Sequence, residues 1–358
     1  MLLARFDIGG KLVEIESEGN GFINDTFVAT FLMDDGAQEK VVLQRINHKV
    51  FTRPQDVMNN LRYIVEHCHR KINRDFARYA RAGRFWQLTH IIRTNEGADF
   101  HIDDHGNTWR CLTFIDGARA YNQVQSLKHA EECGLAIGHF LSLVSDMHTD
   151  RLAYTIPGFH VTSNYLKLYD AAPKERAPKK LVEFVEARRK MAVELEAAEA
   201  RGELKRRVIH GDPRINNILI ADDTGKGTAM IDLDTCSAGL IHMDVGDAVR
   251  SICNPTGEDY NKIEDIVFKT DIFEAFMGGF LAEARRFLTP EDRKYLYHGI
   301  RLLPFELGLR FFTDYLNGNK YFKVSNPEQN LKRAIGQFHL CEIIEGMEGE
   351  IRAVIKGL

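Results

Sequence analysis

Two apolar runs enclose a polar loop in Val208-Ile209-His210-Gly211-Asp212-Pro213-Arg214-Ile215-Asn216-Asn217-Ile218-Leu219-Ile220, and a second strand-like run, Ala229-Met230-Ile231, ends on the acids of Asp232-Leu233-Asp234. Between them, Asp222-Asp223-Thr224-Gly225-Lys226-Gly227 is rich in residues that permit a tight reversal. The pattern predicts an antiparallel hairpin. Centred between Thr224 and Gly225, such a hairpin sets Asn217 opposite Asp232, with Asp212 on the loop that feeds their end of it. An amide oxygen and a carboxylate beside a separate carboxylate can hold a hard divalent cation and supply a base for a hydroxyl. These are the needs of Mg²⁺-assisted phosphoryl transfer.

The 358 residues suffice for two lobes with their own cores. With 44% hydrophobic and 27% charged residues the composition is that of a globular chain. A formal net charge of −4 gives no electrostatic case for nucleic acid or an anionic membrane as partner. The basic cluster Lys205-Arg206-Arg207 immediately precedes a strand and reads as a solvated turn. The six cysteines form no C-x-x-C pair, which argues against a zinc site and a disulfide framework. Met1-Leu2-Leu3-Ala4-Arg5-Phe6-Asp7 meets charge too early for a signal segment, and no apolar run approaches the roughly 18 residues of a membrane span. The expectation is a cytoplasmic enzyme, monomeric or homodimeric, without nucleic-acid or membrane partners.

Along the chain, Lys11–Glu16, Phe22–Thr30 and Lys40–Ile46 read as strands of a small antiparallel sheet, with the glycine-bearing loop Ser17-Glu18-Gly19-Asn20-Gly21 between the first two. A helical stripe follows from Gln55 to about Ala80, and Leu88–Ile92 and Thr108–Ile115 read as two further strands. Asp116-Gly117 breaks this pattern. Beyond it, helices are expected over Leu127–Met147, Lys179–Arg201, Ile263–Phe287, Pro290–Leu316 and Pro327–Ile355, interrupted by the hairpin. The layout is α+β and bilobal, kinase-like: a small β-rich lobe over 1–112, a hinge at 113–117 and a larger, mainly helical lobe over 118–358.

At His210-Gly211-Asp212, with Asn217 five positions past Asp212 and the carboxylate of Asp232 beyond, the chain resembles the aminoglycoside phosphotransferase/choline kinase-like superfamily. An ordered set of further segments is similar to bacterial N-acetylhexosamine 1-kinases. It comprises Gly19-Asn20-Gly21-Phe22-Ile23-Asn24-Asp25-Thr26-Phe27, Val42-Leu43-Gln44-Arg45-Ile46-Asn47, Trp109-Arg110-Cys111-Leu112-Thr113-Phe114-Ile115, Asp244-Val245-Gly246-Asp247 and Gly308-Leu309-Arg310-Phe311-Phe312, with Tyr321-Phe322. The likeness runs from about residue 19 to 345. It implies ATP and Mg²⁺ as cofactors, Asp212 as catalytic base, and Asn217 and Asp232 as metal ligands. It further implies Gly21, Asn24, Gln44, Thr113 and Ile115 at the nucleotide, and Phe22, Asp234, Asp247, Arg310 and Tyr321 at an N-acetylhexosamine phosphorylated on its anomeric hydroxyl.

One departure stands out. Such kinases carry a lysine on the third strand of the small lobe for the nucleotide phosphates. The matching strand here offers Gln44, flanked by Lys40 and Arg45, and alternation puts Gln44 and Arg45 on opposite faces. If Gln44 faces inward, the phosphates lose a fixed cation, which opens a second reading as a nucleotide-binding module without catalysis. Glu66 on the following helix could partner a cation there or face solvent. Arg310 lies in the apolar run Leu302–Leu316, with Glu306 and Asp314 four residues to either side, so it is either part of an ion-pair ladder or a ligand for sugar hydroxyls or the N-acetyl group. Asp234 reads as support for the site or as a sugar contact, and Asp244 and Asp247 as loop braces or sugar contacts. Kinases for another sugar, an amino alcohol or an aminoglycoside are the nearest alternatives, and a metal-dependent hydrolase using His210, Asp212, Asp232 and His242 is a more distant one.

Overall fold

The computed structural model describes residues 2–18, 23–75 and 84–358. β1 (Lys11–Glu18), β2 (Asp25–Leu32) and β3 (Gln38–Arg45) form an antiparallel meander. α1 (Pro54–Arg74) follows, then the short β4 (Ile91–Ile92) and β5 (His101–Ile102), and β6 (Thr108–Thr113). The sheet order is β1-β2-β3-β6-β4, with β5 also on β6. The face turned away from the second lobe buries Ala29, Phe31, Val41, Leu43 and Cys111 against Leu3 and Phe6 of the N-terminal segment. The expected strand over Leu88–Ile92 shrinks to two residues because Gln87 bonds through its backbone N–H to Thr228 of the second lobe instead of to the sheet.

After Asp116-Gly117 the chain crosses into a second sheet, where β7 (Ala118–Arg119) pairs with the first strand of the hairpin formed by β9 (Ile218–Ala221) and β10 (Gly227–Met230). β8 (Arg207–Ile209) and β11 (Ser237–Gly239) make a two-stranded ladder beside it. The helices are α2 (Leu127–Val144), α3 (Thr162–Ala171), α4 (Lys179–Ala192), α5 (Glu194–Ala200), α6 (Ile241–Ile252), α7 (Thr270–Ala284), α8 (Pro290–Leu316), α9 (Gln329–Gly346) and α10 (Glu348–Gly357). The bounds of α8 follow from sequence: Thr289 caps it through a reciprocal pair of bonds with Asp292, and Pro290 occupies the first turn. The helix expected over 179–201 is instead two, broken at Val193, and that over 327–355 breaks at Met347. α6 is not among the expected helices, although Asp244, Asp247 and Arg250 recur at helical spacing along it; all of its residues except Ser251 are buried.

α1 lies on the second lobe as much as on the sheet. Its Val57, Leu61, Ile64 and Cys68 share a core with Phe140 and Val144 of α2 and Leu233 beside the hairpin. Asn60 on the same helix donates to the carbonyls of Ala153 and Cys236. α2 and α7 cross so closely that a Cβ on Gly134 would stand 2.0 Å from the Phe276 carbonyl oxygen, and one on Gly279 2.0 Å from that of Glu131. Because the obstruction is backbone, no rotamer change relieves it. Gly279→Ala is expected to destabilise the protein by about 1–3 kcal/mol, read as a lowered thermal midpoint; an unchanged midpoint would refute the close crossing.

Candidate active site

The hairpin register differs from expectation by one residue. Met230 pairs with Ile218 and Ala229 with Leu219, but Gly227 pairs with Ile220, so a bulge lies at residue 228. Asn217 therefore meets Ile231, whose N–H donates to its carbonyl at 3.0 Å, rather than Asp232. Asp232 follows with a left-handed backbone (φ 62°, ψ 56°), a conformation costly for most residues but tolerated by aspartate, which turns the chain at the end of β10.

The loop before the hairpin is fixed from several sides. The Asp244 carboxylate on α6 accepts the backbone N–H groups of His210 (2.7 Å) and Gly211 (2.8 Å). Gly211 is at φ 85°, where a Cβ would also press on the Thr235 carbonyl at 2.9 Å. His210, fully buried, donates from Nε2 to the Ile231 carbonyl and accepts the Asp212 N–H at Nδ1. His242 is likewise buried and donates to the Asp292 carbonyl. Both histidines are thus structural, and among the described residues no group of three or more His, Cys, Asp or Glu side chains is set to hold a metal by itself.

The Asp212 carboxylate accepts from Arg214 Nε at 2.7 Å and Nη2 at 3.2 Å, and from Asn217 Nδ2 at 3.1 Å. Asn217 Nδ2 also donates to the Asp212 carbonyl at 2.7 Å. Since the amide nitrogen is committed to Asp212, the oxygen of Asn217 is directed elsewhere. Burial opposes the charge on Asp212, yet the Arg214 guanidinium leaves its pKa below the ordinary carboxylate value. Asp232 is the reverse case: burial, then the neighbouring charges of Asp234 and Asp212, push it up to about 7, with Arg110 and Arg214 acting against them. Arg214 has no counterpart among the residues singled out from sequence, although its position two residues past Asp212 was available as a signal.

Gln44 faces inward. Its amide donates to Thr26 Oγ1 at 3.0 Å, and its Oε1 accepts from Arg110 Nε (2.9 Å) and Nη2 (2.7 Å). Arg45, on the other face, pairs with Asp25. Arg110 forks onto Asp234, Nη1 to Oδ1 at 2.6 Å and Nη2 to Oδ2 at 2.9 Å, with both side chains about 2% exposed. Asn24 adds a bond to Asp234 Oδ2 at 2.8 Å. Asp234 is thus taken up between the lobes and is not turned toward an acceptor. Glu66 is exposed and takes no part. Thr113 uses its N–H and its hydroxyl on His90, while Ile115 buries its side chain against Leu219 and Ala229, a small apolar cluster bordered by Ile231. Gly21 and Phe22 lie outside the described residues.

On the other side of the loop, Arg310 is not in an ion-pair ladder. Glu306 is taken by His160 Nδ1 (2.7 Å) and the Thr162 hydroxyl (2.5 Å), and Asp314 by the backbone N–H groups of Lys320, Tyr321 and Phe322 and the amide of Asn330. Among the described residues no carboxylate lies within ion-pairing distance of Arg310. Its guanidinium instead sits 5.2–5.9 Å from the ring centres of Phe159, Tyr165, Tyr321 and Phe322, half-buried. Asp247 on α6 is 6% exposed; Arg250 Nε donates to its Oδ1, and Oδ2 has no partner. Structure therefore separates the two aspartates of α6: Asp244 braces the loop, and Asp247 carries an unsatisfied acceptor.

His160 links the two halves. It adopts φ 54°, and its Nε2 reaches the Gly211 carbonyl at 2.8 Å while Nδ1 faces Glu306. Both partners are acceptors, so the ring donates from both nitrogens and carries charge. Burial opposes that charge, but Glu306 and the Gly211 carbonyl outweigh it, with Asp247 adding to the same effect, and the pKa is raised above 6.5. A raised folded-state pKa contributes stability in full below 6.5 and loses it as pH rises through the folded value. Stability in urea titrations should therefore decline as pH is raised from about 6 to about 9, and His160→Gln should flatten that decline. An identical slope in the variant would rule out a charged His160.

Residues 58–266, well over half of the chain, match the Phosphotransferase enzyme family. Similar solved structures include a microcompartment-associated aminopropanol kinase (TM-score 0.65, 14% identity, 98% of this chain and 96% of the other) and an aminoglycoside phosphotransferase from Alicyclobacillus acidocaldarius (TM-score 0.59, 13%, 100% and 96%). A third is an amicoumacin kinase in complex with AMP-PNP, Ca²⁺ and Ami (TM-score 0.58, 12%, 95% and 91%). At these identities the likeness establishes the bilobal kinase-like fold. The family match, which spans more than half of the chain, shows that this protein is a phosphotransferase belonging to that family.

Proposed function

We propose that this chain transfers the γ-phosphoryl group of ATP to the anomeric hydroxyl of an N-acetylhexosamine. In that reaction Asp212, kept ionised by Arg214, accepts the hydroxyl proton. Asn217 and Asp232 fit a magnesium ion: the amide oxygen is free of Asp212, and the carboxylate sits among other acids whose repulsion a divalent cation would relieve. Bound there, Mg²⁺ would neutralise phosphate charge. The apolar cluster of Ile115, Leu219 and Ala229 offers a floor for adenine. The proposed lobe boundary at 113–117 follows from β6 ending at Thr113 and β7 joining the hairpin sheet.

The acceptor assignment rests on one observation, the position of Arg310. Four aromatic rings around a cation form the cage that recognises an ammonium ligand, and here the chain fills that cage with its own guanidinium. A positive amino alcohol would meet a like charge that no carboxylate contacts directly. A neutral sugar would meet a fork of donors for its hydroxyl or N-acetyl oxygens, with Asp247 Oδ2 on another side to accept a hydroxyl proton.

A panel of GlcNAc, GalNAc, glucose, ethanolamine and choline with Mg·ATP should show ADP release with the N-acetylhexosamines alone; release with neither of them overturns the assignment. Arg310→Leu should raise KM for the sugar about tenfold or more with little change in KM for ATP. Asp212→Asn should lower kcat by about 10²–10⁴ while leaving ATP affinity intact, and full activity in that variant would remove Asp212 from the role of base.

A further inference from the structure

Resting on the kinase reading above, we propose that Arg110 is the cation that positions the nucleotide phosphates, in place of the strand lysine whose position Gln44 occupies. In the register of β3 against β6, Gln44 and Arg110 are direct partners, so the two side chains emerge side by side from one face of the sheet. That face is the one turned to the catalytic hairpin, because Arg110 reaches Asp234 and Asn24 reaches the same carboxylate. The cation has moved one strand sideways without leaving the face.

The charge also has an orienting partner. In kinases of this architecture a strand lysine is held by a glutamate from the following helix. Glu66 on α1 is exposed and cannot do this. Asp234 does it from the opposite lobe, two residues past Asp232. Of the five N–H donors of Arg110, Nε bonds Gln44, Nη2 bonds Gln44 and Asp234, and one Nη1–H bonds Asp234. One Nη1–H remains, on a guanidinium locked in place by four bonds to Gln44 and to Asp234, which lies two residues past Asp232. A preoriented donor beside the carboxylate that would hold the metal is where a metal-bound phosphate oxygen comes to lie. Arg214 is already forked onto Asp212.

The test is binding, not turnover. Calorimetric titration with Mg²⁺ present compares AMP-PNP with adenosine, which lacks phosphates, for the wild type, Arg110→Met, and the double variant Arg110→Met/Asp234→Leu. The double variant removes both members of the buried pair, so neither is left uncompensated, and it carries the test if Arg110→Met alone does not fold. The expected result is an AMP-PNP affinity about tenfold or more weaker, with adenosine affinity within about twofold of wild type. Gln44→Lys added to either background should restore a preference for AMP-PNP by returning a cation to the same face. A folded variant without Arg110 that still binds AMP-PNP as the wild type does overturns the assignment and leaves the kinase reading standing. A wild type with no preference for AMP-PNP over adenosine overturns both.

Discussion

The buried fork between Arg110 and Asp234 is the contact on which the geometry of this molecule depends. It joins residues 124 positions apart, one on the small-lobe sheet and one on the loop that carries Asp232. Asn24 and Gln44 add bonds on either side, so the pair is part of a network and not an isolated charge couple. A buried ion pair is weak evidence for stability as such, but removing one partner from it costs about 3–5 kcal/mol because a bare charge is left inside. Its effect is specificity of placement: the sheet cannot shift relative to the hairpin without breaking charge-assisted bonds.

Around that joint the site alternates in sign. Asp212, Asp232 and Asp234 converge, and Arg110 and Arg214 stand against them. The balance is uneven, which is why Asp232 is pushed up to about 7 while Asp212 is held low. Two carboxylates with different environments can take different roles, one holding a proton acceptor's charge and one awaiting a cation. Asp244 and His210 contribute no chemistry of their own; they fix the backbone between the strands so that Asp212 is presented at one angle.

The region around Arg310, proposed above as the acceptor side, is built on a different principle. There the fixed charge is Arg310, packed against rings instead of acids, and His160 with Glu306 ties that region to the Gly211 carbonyl. Glu306 and Arg310 lie one turn apart on α8, so a single helix joins this region to the loop.

The sequence by itself determined the hairpin, the five-residue spacing of Asp212 and Asn217, the small antiparallel sheet and the long capped helix of residues 290–316. These are local patterns, set by turn residues, alternation and caps within a few positions of each other. It also placed Gln44 where a lysine was expected, but could not say what compensated. Tertiary structure decided the rest: the bulge that moves Asn217 opposite Ile231, the helix carrying Asp244 and Asp247, the freedom of Arg310 from Glu306, and the fork of Arg110 on Asp234. Each of these depends on which distant backbone comes within 3 Å, and buried polar groups take whatever partner the packing supplies. A periodic pattern records which face is buried; it does not record what the face meets.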